Sequence, residues 1–167
     1  MGCATMPRPS WDEFYLHLAD EIAQRSKDPS MKIGAVLVNR NAIISVGYNG
    51  IPRWLDDTIP KRSERPLKYL WYEHGERNAI YNAARHGIAT LGCTMYTQGV
   101  PCADCARACI QAGITRVVAY AQAPTAVPKW GESCAVGREM LDEAGVVVTV
   151  TGVDWWATNR SPDDSKT

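Results

Sequence analysis

The sequence has no excess of charge: 18 Lys and Arg balance 18 Asp and Glu over 167 residues. Proteins that grip long polyanions usually carry a basic excess, so long nucleic acid is disfavoured as a partner. No apolar run approaches the roughly 18–20 residues needed to cross a bilayer, so no membrane partner is expected. The opening stretch, Met1 to Ser10, holds Pro7 and Pro9 and lacks an apolar signal-peptide core, which makes a cytoplasmic location the expectation. Internal repeats and low-complexity segments are absent. What is present is ordinary for a globular protein, 46% hydrophobic and 22% charged. That length suits one core, so a single domain is expected over 1–167, with flexible tails at about 1–9 and 160–167.

Histidine is scarce as well. The chain has only His17, His74 and His86 against six cysteines. Cys102, Cys105 and Cys109 crowd one segment, while Cys3, Cys93 and Cys134 stand singly. In a cytosolic protein a C-x-x-C pair more often marks metal or redox chemistry than a disulfide. Cys93, Cys109 and Cys134 read as small buried hydrophobes.

Ser10-Trp11-Asp12-Glu13 forms a capping box that opens a helix to about Arg25, with Phe14, Leu18, Ala19 and Ile22 as its apolar stripe. Asp28-Pro29 stops it. Ile33 to Val38 and Ala42 to Val46, separated by Asn39-Arg40-Asn41, read as a hairpin. Gly47 to Glu73 is irregular, broken by Pro52, Pro60 and Pro66; Trp54, Tyr69 and Trp71 imply that it packs onto something. A helix follows from His74, with Ala79, Ile80, Ala83 and Ala84 inward and Gly87 as its cap. Cys93 to Thr97 and Arg116 to Tyr120 are strands, the second suited to a buried parallel position. Ala103 to Ala112 is a helix, as is Ser133 to Ala144, with Val136, Met140 and Leu141 inward; Val146 to Thr151 is the last strand. This order predicts an α/β fold: a three-layer α/β/α sandwich on a mixed, mostly parallel five-stranded sheet with helices on both faces.

Chemistry concentrates between His74-Gly75-Glu76 and Pro101-Cys102-Ala103-Asp104-Cys105. One imidazole and two thiolates make a three-ligand zinc set, and a catalytic zinc keeps its fourth position for water. Both cysteines fall where a strand gives way to a helix, whose positive end favours thiolates. On a regular helix His74 and Glu76 would point apart, so His74 is expected just before the first turn. Zinc would acidify a bound water. Glu76 would then move protons from that water to a ring nitrogen and on to a departing amine. His17 and His86 are poorly placed as a fourth ligand. A redox role for the cysteine pair would leave His74 and Glu76 unexplained.

The pattern H-x-E…P-C-x-x-C is the signature of zinc-dependent nucleobase deaminases. From about Trp11 to Val148 the chain resembles the cytidine/deoxycytidylate deaminase superfamily, most closely its deoxycytidylate (dCMP) branch. The matching stretches are Ser26-Lys27-Asp28-Pro29-Ser30, Lys32-Ile33-Gly34-Ala35, Gly47-Tyr48-Asn49-Gly50, His74 to Ile80 and Pro101 to Arg107. The resemblance implies a cytidine deaminase-type fold, zinc on His74, Cys102 and Cys105, and Glu76 as proton shuttle. It implies dCMP as substrate, with zinc hydroxide attacking C4 to give dUMP and ammonia. Asn49 would bond the sugar, and the backbone near Gly75 and Val100 would meet the pyrimidine edge. Members of the branch are usually homo-oligomers, often hexamers, and several respond to dCTP and dTTP. Trp155 and Trp156 would then cover either an oligomer interface or the domain's own edge.

A 5′-phosphate needs cations, for which Arg53 and Lys68 of the irregular segment are candidates; a solvated surface role is the alternative. Three positions depart from the family pattern: Gly75 for alanine, Gln98 for threonine and Trp54 for glycine. They raise the expectation of a reshaped pocket for a 5-substituted cytosine or a purine nucleotide. A non-catalytic, zinc-stabilised binding domain is the remaining alternative, disfavoured by the intact Glu76.

Overall fold

A computed structural model describes residues 8–121 and 128–152. The tail 160–167, most of the tail 1–9, Cys3 and the Trp155–Trp156 pair lie outside those residues. The capping box forms as expected, Ser10 Oγ accepting the Glu13 N–H while the Glu13 carboxylate accepts from Ser10 N–H, and α1 runs Trp11–Ala23. Its inward face differs from the expected stripe. Tyr15, Leu16, Ala19 and Ala23 are buried and Phe14 is exposed, because the helix is rotated to bring Tyr15 against Tyr96.

Strands β1 (Gly34–Asn39) and β2 (Ala42–Tyr48) form the hairpin, turned by Arg40 and Asn41, both at positive φ. The Tyr15 hydroxyl donates to Asn41 O across 2.8 Å, tying α1 to that turn. The irregular segment then leaves and returns at one point, where Gly50 and Glu73 exchange backbone hydrogen bonds of 3.0 and 2.8 Å. Within it lie a 3-10 turn (Pro60–Ser63) and the short helix α2 (Lys68–Trp71). Tyr69 packs edge-on to Trp130 and Trp71 lies under Arg62, but Trp54 is 89% exposed, against expectation.

Helix α3 (Gly75–Arg85) buries Ala79 and Ala83, while Ala84 faces outward. Strand β3 (Thr94–Thr97), helix α4 (Ala103–Gln111), strand β4 (Arg116–Tyr120), helix α5 (Pro128–Glu143) and strand β5 (Val147–Thr151) complete the described elements. The start of α5 precedes the expected Ser133 by five residues, and Val136 is exposed while Gly137 and Leu141 are buried. Strand order is β2-β1-β3-β4-β5. Pairs β2/β1 and β1/β3 are antiparallel and β3/β4 and β4/β5 parallel, so the sheet is evenly mixed rather than mostly parallel.

Alternation along the strands builds two cores. Val36, Val38, Tyr96, Val118 and Tyr120 meet Tyr15, Leu16 and Ala19 of α1 on one face. Ala35, Leu37, Met95 and Val117 meet Ala79, Ala83, Ala106, Cys109 and Leu141 of α3, α4 and α5 on the other. Burial on both faces explains the near-continuous apolar runs of β1 and β4. Among the described residues no helix is long and apolar enough to cross a membrane.

Candidate active site

Two helix N-termini meet over the sheet. His74 is the N-cap of α3 with extended dihedrals (φ −82°, ψ 153°), which resolves how it and Glu76 reach the same side. Cys102 is the N-cap of α4, and Cys105 sits one turn in. His74 Nδ1 lies 3.5 Å from Cys102 Sγ and 3.4 Å from Cys105 Sγ. A tetrahedral ion with bonds of about 2.0 Å to nitrogen and 2.3 Å to sulfur implies an N···S edge of roughly 3.5 Å. Both nitrogen–sulfur separations therefore match such an ion, and a set of two thiolates and one imidazole is soft enough for zinc.

Glu76 is buried, with Cys105 Sγ 3.6 Å from its Oε2. Burial pushes its carboxyl above the usual range, although the nearby His74 opposes this. The cysteines are coupled. A hydrogen bond from Cys105 holds Cys102 down at about 4, and the same contact, with burial, pushes Cys105 up. Burial works against a charged His74, but contact with Cys102 and the Glu76 charge outweigh it and the imidazole is raised. Neighbouring groups thus make the protonation state of each partner depend on the others.

These residues open into a cavity lined also by Asp28, Ser30, Asn49, Lys68, Val100 and Trp130. Asn49 is in place but heavily engaged. Its Oδ1 accepts the Ile33 N–H at 2.8 Å, and its amide donates to Asp28 and to Met31 O. Lys68 also reaches the cavity, yet its ammonium is only 2.5 Å from Asp28, in an ion pair with both side chains under 10% exposed. Such a cation is already neutralised, which weakens it as the phosphate ligand. Arg53 is a clearer departure: its guanidinium bonds Asn82 on the exposed surface, away from the residues lining the cavity.

None of the three departures from the family pattern is among the residues lining this cavity. Gly75 is buried under the Ile33 carbonyl, which would lie 2.8 Å from an added Cβ, so backbone fills the missing methyl's place. Gln98 is engaged elsewhere, accepting the Gly34 N–H at 2.7 Å and donating to Asp20 at 3.0 Å, and does not line the cavity. Trp54 lies outside the cavity, with the Arg85 guanidinium 5.6 Å from its ring.

Several site residues escape sequence reasoning. Arg77 pairs with Glu73, which also accepts the His74 N–H, and reaches Asp104 of α4 across 3.5 Å. It therefore links the two helix ends that present the ligands. From α5 come Trp130 and Cys134, which line the cavity, and Ser133, whose Oγ accepts the Ala103 N–H at 3.2 Å where Cys102 offers no side-chain cap. Cys134 is half-buried rather than buried, with a thiol that burial pushes up to about 12. Cys93 and Cys109 are buried as expected. Arg77 stands in the H-x-E-R run and could have been noticed; a lone tryptophan and serine carry no such signal.

A mixed sheet sandwiched by helices, with a His-Cys-Cys cluster and a buried carboxyl at two helix N-termini, defines a metal-dependent deaminase type of architecture. Residues 9–121 match the cytidine and deoxycytidylate deaminase zinc-binding region. An uncharacterised deaminase from the luxG 3′ region of Aliivibrio fischeri is 38% identical over 144 residues, covering 86% of this chain and 95% of that one. Mouse deoxycytidylate deaminase is 44% identical over 114 residues, covering 65% of this chain and 63% of its own. The dCMP deaminase of cyanophage S-TIM5, solved with dCMP and dUMP, superposes with a TM-score of 0.67 at 24% identity, over 87% of this chain and 100% of that one. The chain belongs to the cytidine and deoxycytidylate deaminase family.

Proposed function

We propose that this protein is a zinc-dependent hydrolase that converts dCMP and water to dUMP and ammonia. The observation that carries the reading is the buried Glu76 carboxyl beside the His74, Cys102 and Cys105 donors. A structural zinc site has no need of such a group, whereas deamination needs a proton carrier. Zinc held by those three donors would supply an acidified water as nucleophile. Glu76 takes a proton at its carboxylate, delivers it to the ring N3 and then carries a second to the leaving amine. Its raised pKa suits the first of these steps, because a carboxylate that is easier to protonate takes up the water's proton more readily.

The cavity orders the substrate by chemistry. The base lies at the Glu76 end, with the backbone at Val100 on its edge, and the sugar lies toward Asn49, whose Oδ1 keeps one lone pair beyond the Ile33 bond. Support for the nucleotide comes from the deoxycytidylate deaminase relatives and from the cyanophage enzyme that was solved with dCMP and dUMP. A single cytoplasmic domain, a homo-oligomeric assembly (a hexamer by family resemblance) and control by dCTP or dTTP complete the proposal. The test is ammonia release from dCMP, 5-methyl-dCMP, dCTP, deoxycytidine, cytosine, dAMP and dGMP, with Glu76→Ala as blank. Activity strongest on dCMP and abolished in the variant is the expected result. A clear preference for another compound would overturn the substrate while leaving the chemistry.

A further inference from the structure

Trp130 is the large side chain that α5 contributes to the cavity, and its surroundings are built rather than accidental. Its indole meets the His74 ring edge-to-face, with centroids 5.3 Å apart and planes at 78°. It meets Tyr69 in the same manner at 5.8 Å and 74°. Residues 130, 133, 134 and 137 share one face of a helix by their spacing of three and four. Each of the other three touches the active-site region: Ser133 caps the Ala103 N–H, Cys134 lines the cavity, and Gly137 rests on Pro101 O. The loop that presents Cys102 is therefore the same surface that holds α5, and with it the indole, in place.

We propose that Trp130 is a specificity-determining residue, forming with Tyr69 an aromatic wall beside His74 on which the substrate's base packs and which limits that base to one ring. The inference rests on the proposed nucleotide deamination and deepens it. An aromatic face binds heteroaromatic bases through dispersion and stacking that tolerate many bases, and Tyr69, at 74° to the indole, braces that face rather than extending its plane. Selection then comes from volume. An indole is a fused two-ring system, so its presence next to His74 occupies space of the kind a purine's second ring would need. Polar recognition is left to the backbone and Asn49, while the wall supplies contact area and the size limit.

The test uses Trp130→Leu and Trp130→Phe in the zinc-loaded full chain, with KM, kcat, zinc content and thermal midpoint recorded. Trp130→Leu is expected to raise KM for dCMP by about 5- to 150-fold, the range spanned by loss of one base–aromatic contact. It should leave zinc content unchanged and increase turnover of 5-methyl-dCMP and dAMP relative to dCMP. Trp130→Phe, which keeps a ring, should stay nearer to wild type in KM. An unchanged KM and base preference in Trp130→Leu would overturn the inference while leaving dCMP deamination intact. Loss of zinc with a fall in kcat alone would also overturn it, making Trp130 a positioning residue for His74. Should wild type fail to turn over dCMP, the functional reading falls, and calorimetric binding of the same nucleotides to wild type and Trp130→Leu decides the wall. Equal affinity, or no binding, would then overturn it.

Discussion

Gly137 rests so closely on Pro101 that an added Cβ would stand 2.3 Å from the Pro101 carbonyl oxygen and 2.9 Å from the Cys102 carbonyl carbon. Both obstacles are backbone, so neither can swing aside as a flexible side chain would. Gly137→Ala is expected to destabilise the fold by about 1–3 kcal/mol, as overpacking does, and to disturb the Cys102 thiolate. A lowered thermal midpoint together with a lowered zinc content would show both effects; a variant with wild-type values of each would refute the close approach.

Arg77 connects Glu73, next to His74, with Asp104, next to Cys105. Burial opposes the charge on its guanidinium, but Cys105, Glu73 and Asp104 together outweigh it and hold the group protonated. Groups that orient metal ligands typically matter by about 10- to 100-fold in metal affinity. Arg77→Met should weaken zinc binding within that range in competition with a chromophoric chelator. Arg77→Lys keeps the charge but not the two-sided geometry, so it should recover only part of the loss.

At Gln98, removing a side chain should separate structure from catalysis. Its amide bridges the Gly34 N–H of β1 and Asp20 of α1, and none of it is exposed. Gln98→Leu leaves those partners without it and should cost about 1–3 kcal/mol of stability, measured by denaturant unfolding. The relative turnover of dCMP and 5-methyl-dCMP should not change, because Gln98 does not line the cavity. A shift in that ratio would place Gln98 back among the substrate contacts.

Stability should also respond to acid through Asp12. Its carboxylate accepts two hydrogen bonds from Arg116, at 2.9 and 2.7 Å, and one from the Tyr96 hydroxyl at 2.9 Å. The Arg116 hydrogen bond is the main cause of a pKa below the ordinary 3.8, with partial burial opposing it. A depressed folded-state pKa means the unfolded chain binds the proton first, so this contribution is complete above about pH 4 and fades as pH falls through the lower value. Wild type should therefore lose stability more steeply than Asp12→Asn below pH 4. Parallel curves for the two proteins would exclude Asp12 as the acid-sensitive group.

Much of this protein is legible in its sequence because the deciding forces are local. A serine three residues before a glutamate caps α1 whatever packs above it, and two residues at positive φ turn the β1–β2 hairpin within their own backbone. The proposed metal donors belong to the same class. His74 and Cys102 each end an extended segment and begin a helix, so their placement follows from the chain's own change of conformation.

Only the tertiary structure decides the direction in which single side chains point. Lys68 and Arg53 come from the same basic segment, yet one is buried against Asp28 and the other lies on Asn82 at the surface. Gln98 looks like a pocket residue by position, but α1 supplies its partner 78 residues earlier, and that bond engages it outside the cavity lining. Trp130 enters the cavity because Gly137 lets α5 approach the Cys102 loop, a contact between segments that share no local pattern. Capping and turn formation act between neighbours in sequence, whereas desolvation and hydrogen-bond satisfaction act between neighbours in space. The proposed metal donors follow from the first kind of force, and the walls around them from the second.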